Sequence, residues 1–398
     1  MNKNINDLYS IAAKDERVII GLMSGTSMDG LDIAVCAFKG HGSATEVEVK
    51  HFITAPYTDG FRNDIKAIFS RRDADLQAVC IMNAVIGTTH ADLINKALND
   101  WGLSKDSIDL IASHGQTIFH APATQHKLEG YPNATLQIGD GDHIAVKTGV
   151  ITLSDFRQKH IAAGGEGAPL AVYGDYLLFS KQGEERILLN IGGIANFTYL
   201  PADTDPSKIF SSDVGPGNTL MDQYVKEHFD IFYDAHAKIA LSGTPDKKLL
   251  AELMKDDFFD KPLPKTTGPE LFNLAYLKEA IQRIEGNNIP HEDVMATLCH
   301  FSAAGIVRSI KQAFKETNNL NIYMSGGGMH NPLLVQLLKE QISGASFYTT
   351  KDLAIEPDAK EAVLFAVLAN EAVAGAPIDL GNRVGVPAVT MGKLSFPV

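Results

Sequence analysis

Val18-Ile-Ile-Gly-Leu-Met-Ser-Gly-Thr-Ser-Met-Asp-Gly-Leu-Asp-Ile-Ala-Val-Cys-Ala-Phe38 is the stretch on which the fold turns. An apolar run over residues 18–23 meets a polar, glycine-containing segment over 24–30, and a second apolar run follows over 31–38. Strand, glycine turn, strand reads as a hairpin; a nucleotide-binding βαβ unit would pass from strand to helix instead. Glycine lets a backbone approach an anion closely, and consecutive N–H groups form an anion nest. Thr26 and Ser27 add hydroxyl donors, and Asp29 is a candidate for a hydrated magnesium ion. Gly, Ser and Asp are also ordinary turn residues, so a plain β-turn is the alternative.

The same pattern recurs further along. Ile187-Leu-Leu-Asn-Ile191 runs into Gly192-Gly193, and Phe197-Thr-Tyr-Leu200 follows. Two hairpins, one beginning near residue 18 and one near 187, suggest an internal repeat of two similar halves. The expected division is residues 1–183 and 184–398, with the last helix returning to the first half. A third glycine turn, Gly326-Gly-Gly328, closes the strand Ile322-Tyr-Met324. Three glycines at a strand-to-helix junction admit a flat ligand such as a purine; a tight connection is the alternative. Asn331 and Pro332 read as N-cap and first helical residue.

Helices are expected over residues 61–100, 219–228, 246–256, 271–285, 291–316 and 359–374. In 291–316, Val294, Leu298, Phe301, Ala304 and Val307 share one helical face. Further strands are expected over 108–112, 136–138 and 150–153. Strand and helix alternate in both halves, which argues for α/β layers. Runs such as 18–20 and 187–189 lack alternation, as expected of strands covered on both faces. Low-complexity segments and flexible linkers are missing, so the halves are expected to pack with a cleft between them.

Composition narrows the function classes. The 398 residues carry 35 Lys+Arg against 48 Asp+Glu, a net charge of −13. That balance disfavours nucleic-acid and anionic-membrane binding, which neutralise phosphates with Lys and Arg. Phosphorylated ligands remain open, because backbone N–H groups hold them without positive charge. Cys36, Cys80 and Cys299 form no CxxC pair or zinc spacing, so neither a disulfide framework nor structural zinc is expected. The polar start of the chain reads as no signal peptide, and no apolar run reaches about 18 residues. A reducing, cytoplasmic compartment is the expectation.

Several familiar motifs are missing: the GxxxxGK[ST] P-loop, GxGxxG, HExxH and GxSxG. Ser24 sits one residue off the last of these and precedes a strand. Asp213 stands before Gly215-Pro-Gly217 and a helix, where a carboxylate is either an oriented anion or a simple cap. His114 and Gln116 flank Gly115 after a strand, a place for ligand contacts or for a structural histidine. Arg157 precedes the glycine-rich segment Ala163-Gly-Gly-Glu-Gly-Ala168 and could clamp a carboxylate bidentately; an ion pair with Asp155 or Glu166 is the alternative. His114, His120, His126 and Asp140-Gly-Asp142-His143 are spaced irregularly for a metal, and the metal ligands stay open.

Taken in order, Gly21-Leu-Met-Ser-Gly-Thr-Ser-Met-Asp-Gly30, Ser113-His-Gly-Gln-Thr117, Leu136-Gln-Ile-Gly139, Asp155-Phe-Arg157, Gly164-Gly-Glu-Gly-Ala-Pro-Leu170, Asn190-Ile-Gly-Gly-Ile-Ala-Asn196, Asp213-Val-Gly-Pro-Gly-Asn218 and Gly326-Gly-Gly328 resemble the anhydro-N-acetylmuramic acid kinases. The resemblance runs from about residue 18 to about 392. It implies a two-domain actin-like ATPase / sugar kinase fold, shared with the large heat-shock chaperones, with duplicated phosphate hairpins and an interdomain cleft. It implies that ATP, with Mg2+, and water convert 1,6-anhydro-N-acetylmuramic acid to N-acetylmuramic acid 6-phosphate in peptidoglycan recycling. In its terms Asp213 is the catalytic base. Gly25, Thr26, Ser27, Met28, Asp29, Gly30, Asp32, Asn190, Gly192, Gly193, Gly326, Gly327 and Gly328 bind ATP. His114, Gly115, Gln116, Arg157 and Glu361 contact the sugar, and a homodimer is the implied assembly. One departure stands out: family members carry Asp where this chain has His160. Two other readings are a nucleotide-switch ATPase of the actin or chaperone kind without sugar kinase activity, and a kinase for a different sugar or a pure glycoside hydrolase.

Overall fold

The computed structural model describes residues 2–25, 28–284, 288–314, 316–381 and 385–398, so Thr26 and Ser27 lie outside the described residues. The chain divides into two compact units: residues 1–180, 206–208 and 354–398, and residues 181–205 and 209–353. The whole segment 354–398 groups with the first unit, beyond the single returning helix expected of the second half.

The first part of the chain supplies β1 (Glu16–Met23), β2 (Gly30–Lys39), β3 (Glu46–Pro56), β4 (Leu110–Ser113), β5 (Gln116–Ala121), β6 (Ala134–Ile138) and β7 (Thr152–Ser154). The second unit contains β8 (Glu185–Ile191), β9 (Ile194–Leu200), β10 (Phe210–Pro216), β11 (Leu320–Ser325) and β12 (Ser346–Thr349). The last strand, β13 (Lys393–Ser395), returns to the first unit.

The sheet of the first unit runs β13-β7-β4-β1-β2-β3, and that of the second runs β10-β9-β8-β11-β12. In each, a central strand pairs antiparallel with the next strand and parallel with a later one: β1 with β2 and β4, β8 with β9 and β11. The third strand of each meander continues antiparallel, β3 on β2 and β10 on β9. Each outer parallel strand extends the same way, β7 on β4 and β12 on β11. This equivalence of order and sense is the repeat that the two hairpins announced. The central strands are buried on both faces, whereas β3, at an edge, is largely accessible.

Helix Lys360–Ala374 packs directly on β1. A Cβ on Gly21 would lie 1.9 Å from the Ala362 carbonyl oxygen, so that approach requires glycine. Val363, Phe365, Val367 and Leu368 bury their side chains there, each worth roughly 1.5–3 kcal/mol. The C-terminal segment is thus part of the first core. In the second unit the helix His291–Ala313 is buried nearly all round, where a one-faced helix was expected. Phe258, Phe259, Phe272 and Phe301 pack against one another beside it at ring distances of 5.4–5.9 Å.

Local chemistry corrects one expected helix. Residues 61–100 form two helices, Asp59–Ile68 and Leu76–Trp101. Phe69 is extended, Ser70 takes a φ of +55°, and the Asp75 side chain caps a new helix by accepting from the Gln77 and Ala78 N–H groups. The three cysteines are free thiols. No helix among the described residues is long and apolar enough to cross a membrane.

Candidate functional site

The candidate residues form two groups, one in each unit. In the first unit, β1 ends at Met23 opposite Asp32 of β2, and the turn between them carries the glycine segment. The Gly25 carbonyl accepts from the Met28 N–H at 3.3 Å and from the Gln116 Nε2 amide at 3.4 Å. Met28 is buried with a φ of +59°, and Asp29 is exposed. Gly30 answers to β3: a Cβ there would meet the Ala55 carbonyl at 2.5 Å. Asp32 accepts from the Thr54 hydroxyl at 2.6 Å, and burial pushes its carboxyl up, against that hydrogen bond.

The β4–β5 turn carries His114, Gly115 and Gln116. Gly115 has a φ of +70°, and a Cβ would lie 2.4 Å from the Ile138 carbonyl, so both conformation and space call for glycine. Gln116 is fully buried and uses both ends of its amide inside the protein, on Ser24 and Gly25. The Arg157 guanidinium donates to the Gly167 carbonyl at 2.7 Å and to His114 Nε2 at 3.1 Å. Because guanidinium only donates, the His114 proton sits on Nδ1, a buried atom without a partner. Burial holds His114 neutral, down to about 3, and the neighbouring Arg157 charge acts in the same direction. Arg157 Nε is also buried and unpartnered. Asp155, considered from sequence as the partner of Arg157, pairs with Lys393 at 2.6 Å. Burial works against the Arg157 charge and Glu361 supports it. Glu361 keeps accessible surface while protein surrounds most of its carboxyl, and that desolvation raises it.

His160, the departure from the family pattern, is buried behind this group. Its Nδ1 accepts from the Gly167 N–H at 3.0 Å and its Nε2 meets the Tyr173 hydroxyl at 3.0 Å. The Tyr173 hydroxyl donates in turn to the Pro387 carbonyl at 3.0 Å. His160 therefore anchors the loop whose carbonyl receives Arg157, and it belongs to the scaffold behind Arg157.

In the second unit the turn Gly192-Gly193 is tied by backbone alone. The Gly192 carbonyl accepts from the Asn218 N–H at 2.8 Å, and the Gly193 carbonyl accepts from Gly217 and Thr219 at 2.9 and 3.1 Å. In a trans peptide C=O and N–H point oppositely, so the N–H groups of Gly193 and Ile194 face away from the Thr219–Phe229 helix. Asn190 is half-buried and accepts from the Ser325 hydroxyl at 3.4 Å. Gly326 has a φ of +80°, and a Cβ on Gly328 would meet Ile191 at 2.3 Å, while one on Gly327 would make only an ordinary contact with Asn218 at 3.6 Å. Beyond this turn lies an open depression of about 510 Å³ lined by Met329, His330, Pro332, Val335 and Gln336 among others.

Asp213 lies on strand β10 at a bulge, several residues ahead of the helix whose N-terminus it was expected to occupy; Asn218 holds the N-cap position. Asp213 Oδ2 accepts from the Thr267 N–H at 2.9 Å, and its own N–H donates to the Lys265 carbonyl at 3.0 Å. Burial pushes the carboxyl up to about 6, the Thr267 hydrogen bond opposes this, and Glu270 adds to it. A carboxylate poised near 6 is suited to general-base work. The 265–267 loop that grips it carries no sequence signal, because the contact is made across 54 residues. Ser24, Tyr57 and His90 are likewise joined behind the Gly25 turn by contacts that spacing does not reveal; His90 in an apolar helix is the one available hint.

A family model described as anhydro-N-acetylmuramic acid kinase matches residues 17–395. The chain is 52% identical to the anhydro-N-acetylmuramic acid kinase of Pseudoalteromonas atlantica, with all of both chains covered. It is 50% identical to that of Pseudoalteromonas translucida, again over all of both, and 38% identical to that of Caldanaerobacter subterraneus subsp. tengcongensis over 98% of this chain and 99% of the relative. Among solved structures, an activator of 2-hydroxyisocaproyl-CoA dehydratase from Clostridium difficile aligns at a TM-score of 0.43 and 10% identity, covering 90% of this chain and 96% of that one. The full-length family match and these identities place the chain in the anhydro-N-acetylmuramic acid kinase family.

Proposed function

We propose that this protein converts 1,6-anhydro-N-acetylmuramic acid, ATP and water to N-acetylmuramic acid 6-phosphate and ADP, in the recycling of peptidoglycan. In the substrate O6 is bridged to C1 and offers no hydroxyl to phosphorylate. Water attacks C1 through an oxocarbenium-like state as the C1–O6 bond breaks, and the freed O6 attacks the γ-phosphorus of ATP in line, expelling ADP. The attacking water gives up a proton, and Asp213 takes it. The observation that carries this role is the Asp213 carboxyl, held by the Thr267 N–H and raised to about 6 by burial. Arg157, with a buried unpartnered Nε, suits the lactyl carboxylate, and Glu361 suits the sugar.

The backbone N–H groups at Gly193 and Ile194 and the Gly25–Gly30 turn serve the phosphates, and the depression beyond Gly326-Gly-Gly328 serves the nucleoside. Among the described residues no cluster of three or more His, Cys, Asp or Glu is placed to hold a metal. That fits a magnesium ion carried mainly by the phosphates and waters, with exposed Asp29 as a candidate carboxylate. Magnesium bound there would neutralise phosphate charge. A cytoplasmic location and a homodimer accompany this reading. Turnover in 18O-labelled water tests it: one product carrying solvent oxygen at C1 and phosphate at O6 is expected. ATP hydrolysis with no labelled sugar phosphate overturns it.

A further inference from the structure

A chain of hydrogen bonds runs through the buried interior of the first unit, from His90 and Tyr57, which have no role assigned above, to Gln116 and Gly25. His90 Nε2 lies 2.8 Å from the Tyr57 hydroxyl, Tyr57 lies 2.9 Å from Ser24 Oγ, and Ser24 lies 2.6 Å from Gln116 Oε1. Gln116 Nε2 then reaches the Gly25 carbonyl. His90 and Gln116 are fully buried, and Ser24 and Tyr57 nearly so.

Donor counting gives this chain a single direction. The Gly25 carbonyl only accepts, so the Gln116 amide nitrogen faces it and the amide oxygen faces Ser24. Ser24 therefore gives its one hydroxyl proton to Gln116 and must accept from Tyr57. Tyr57 has then given its one proton to Ser24, so His90 must donate to it from Nε2. That leaves His90 Nδ1 as a bare acceptor, and Nδ1 is indeed buried without a partner. Burial keeps the ring neutral, which this direction demands.

We propose that His90 and Tyr57 are positioning residues for the phosphate-binding turn: through Ser24 and Gln116 they hold the Gly25 carbonyl, and so fix the base of the first glycine hairpin. The proposal rests on the kinase reading, in which that turn meets ATP. Two of its links, Ser24 and Gln116, connect the end of β1 with the turn that bears His114, so the chain ties the phosphate turn to the sugar-binding turn. A substitution at Tyr57 or His90, both buried, is felt at Gly25.

The test uses the full chain, with Tyr57→Phe, His90→Leu and the double variant, measuring kcat, both KM values, melting temperature and ATP affinity by calorimetry. Tyr57→Phe orphans the His90 N–H and the Ser24 lone pair, so a lower melting temperature and an ATP KM raised about tenfold are expected. The double variant removes the orphaned donor and regains stability while the ATP KM stays high. Recovery of the ATP KM together with stability in the double variant overturns the proposal, because the chain is then scaffold alone. An unchanged ATP KM in Tyr57→Phe overturns it as well. If the wild-type chain shows no sugar-dependent turnover, the kinase reading fails instead, and the calorimetric ATP affinities of the same variants still decide the role of Tyr57.

Discussion

The two glycine hairpins stand at equivalent positions in equivalent sheets, yet they are held in different ways. In the first unit the Gly25 carbonyl accepts from the Met28 N–H within the turn and also from a side chain, Gln116, at the end of a buried polar chain. In the second unit the Gly192 and Gly193 carbonyls are gripped by backbone N–H groups of residues 217–219 at the start of a helix. Backbone donors are present whatever the side chains are, so the second turn answers first to changes of shape, with Asn218 Nδ2 on the Ile191 carbonyl and the Ser302 hydroxyl on the Gly217 carbonyl as its side-chain supports. The first depends on four particular side chains in register, and single-atom substitutions can reach it. Equivalent topology therefore does not imply equivalent mutational sensitivity.

The largest expected effect lies on the backbone-held side. Asp213→Asn removes the base and lowers kcat by about 10²–10⁴. Its Oδ still accepts from Thr267, so the fold is kept and ATP affinity is little changed. The Asp213 carboxyl stands at about 6 in the folded chain against an ordinary 3.8, so the folded state holds that proton more tightly. The stability this contributes is complete below about 4 and is lost as pH rises through about 6. Above that, the buried charge destabilises, and Asp213→Asn is expected to melt a few degrees higher than the wild type at pH 7.5. In the wild type, kcat/KM falls tenfold per pH unit below about 6, as the base takes up its proton. Near-normal turnover in the variant, or a flat profile from pH 5 to 7, removes Asp213 from its role.

Next comes shape. Gly217→Ala puts a Cβ 2.2 Å from the Gly192 carbonyl oxygen, which is backbone and cannot swing aside. A loss of about 1–3 kcal/mol or more is expected, read as a melting temperature lower by several degrees. A well-folded variant shows that backbone packing does not set this turn.

A smaller, more selective effect is expected at His160→Asn. It loosens Gly167 and the Arg157 aim, so the sugar KM rises about tenfold while the ATP KM holds. Equal changes in both KM values point to general loosening instead. The smallest effect is at Gly192→Ala, where the nearest atom to a new Cβ is 3.6 Å away. Its melting temperature should stay within about 1 °C of the wild type, so any rise in ATP KM reports a ligand against that backbone. Comparing it with Gly217→Ala, two residues of one turn assembly, separates packing from binding.

Much of this is legible in the amino-acid sequence. A hairpin is closed by residues within about a dozen positions of one another, so glycine between apolar runs announces it. Burial on both faces removes alternation from the central strands, and that too is local. The break between the Asp59–Ile68 and Leu76–Trp101 helices is written in the polar stretch 70–75, ending on Asp75, but helically spaced apolar residues on either side of it invite a single helix. The placement of Asp213 was less legible, because its strand and its following helix are joined through Gly215-Pro-Gly217 and either element could have claimed it.

The duplicated α/β plan, the glycine turns and the set of residues shared with the family all follow from the amino-acid order. These rest on near neighbours and on motif order. The tertiary structure alone decided which of those residues meet. Ser24 finds Gln116 across 92 positions, and Asp213 finds Thr267 across 54. It also placed residues 354–398 in the first core, where Gly21 lets a helix come close enough to close it. Such pairings are set by how buried faces fit, and a buried polar group accepts whatever partner that fit delivers.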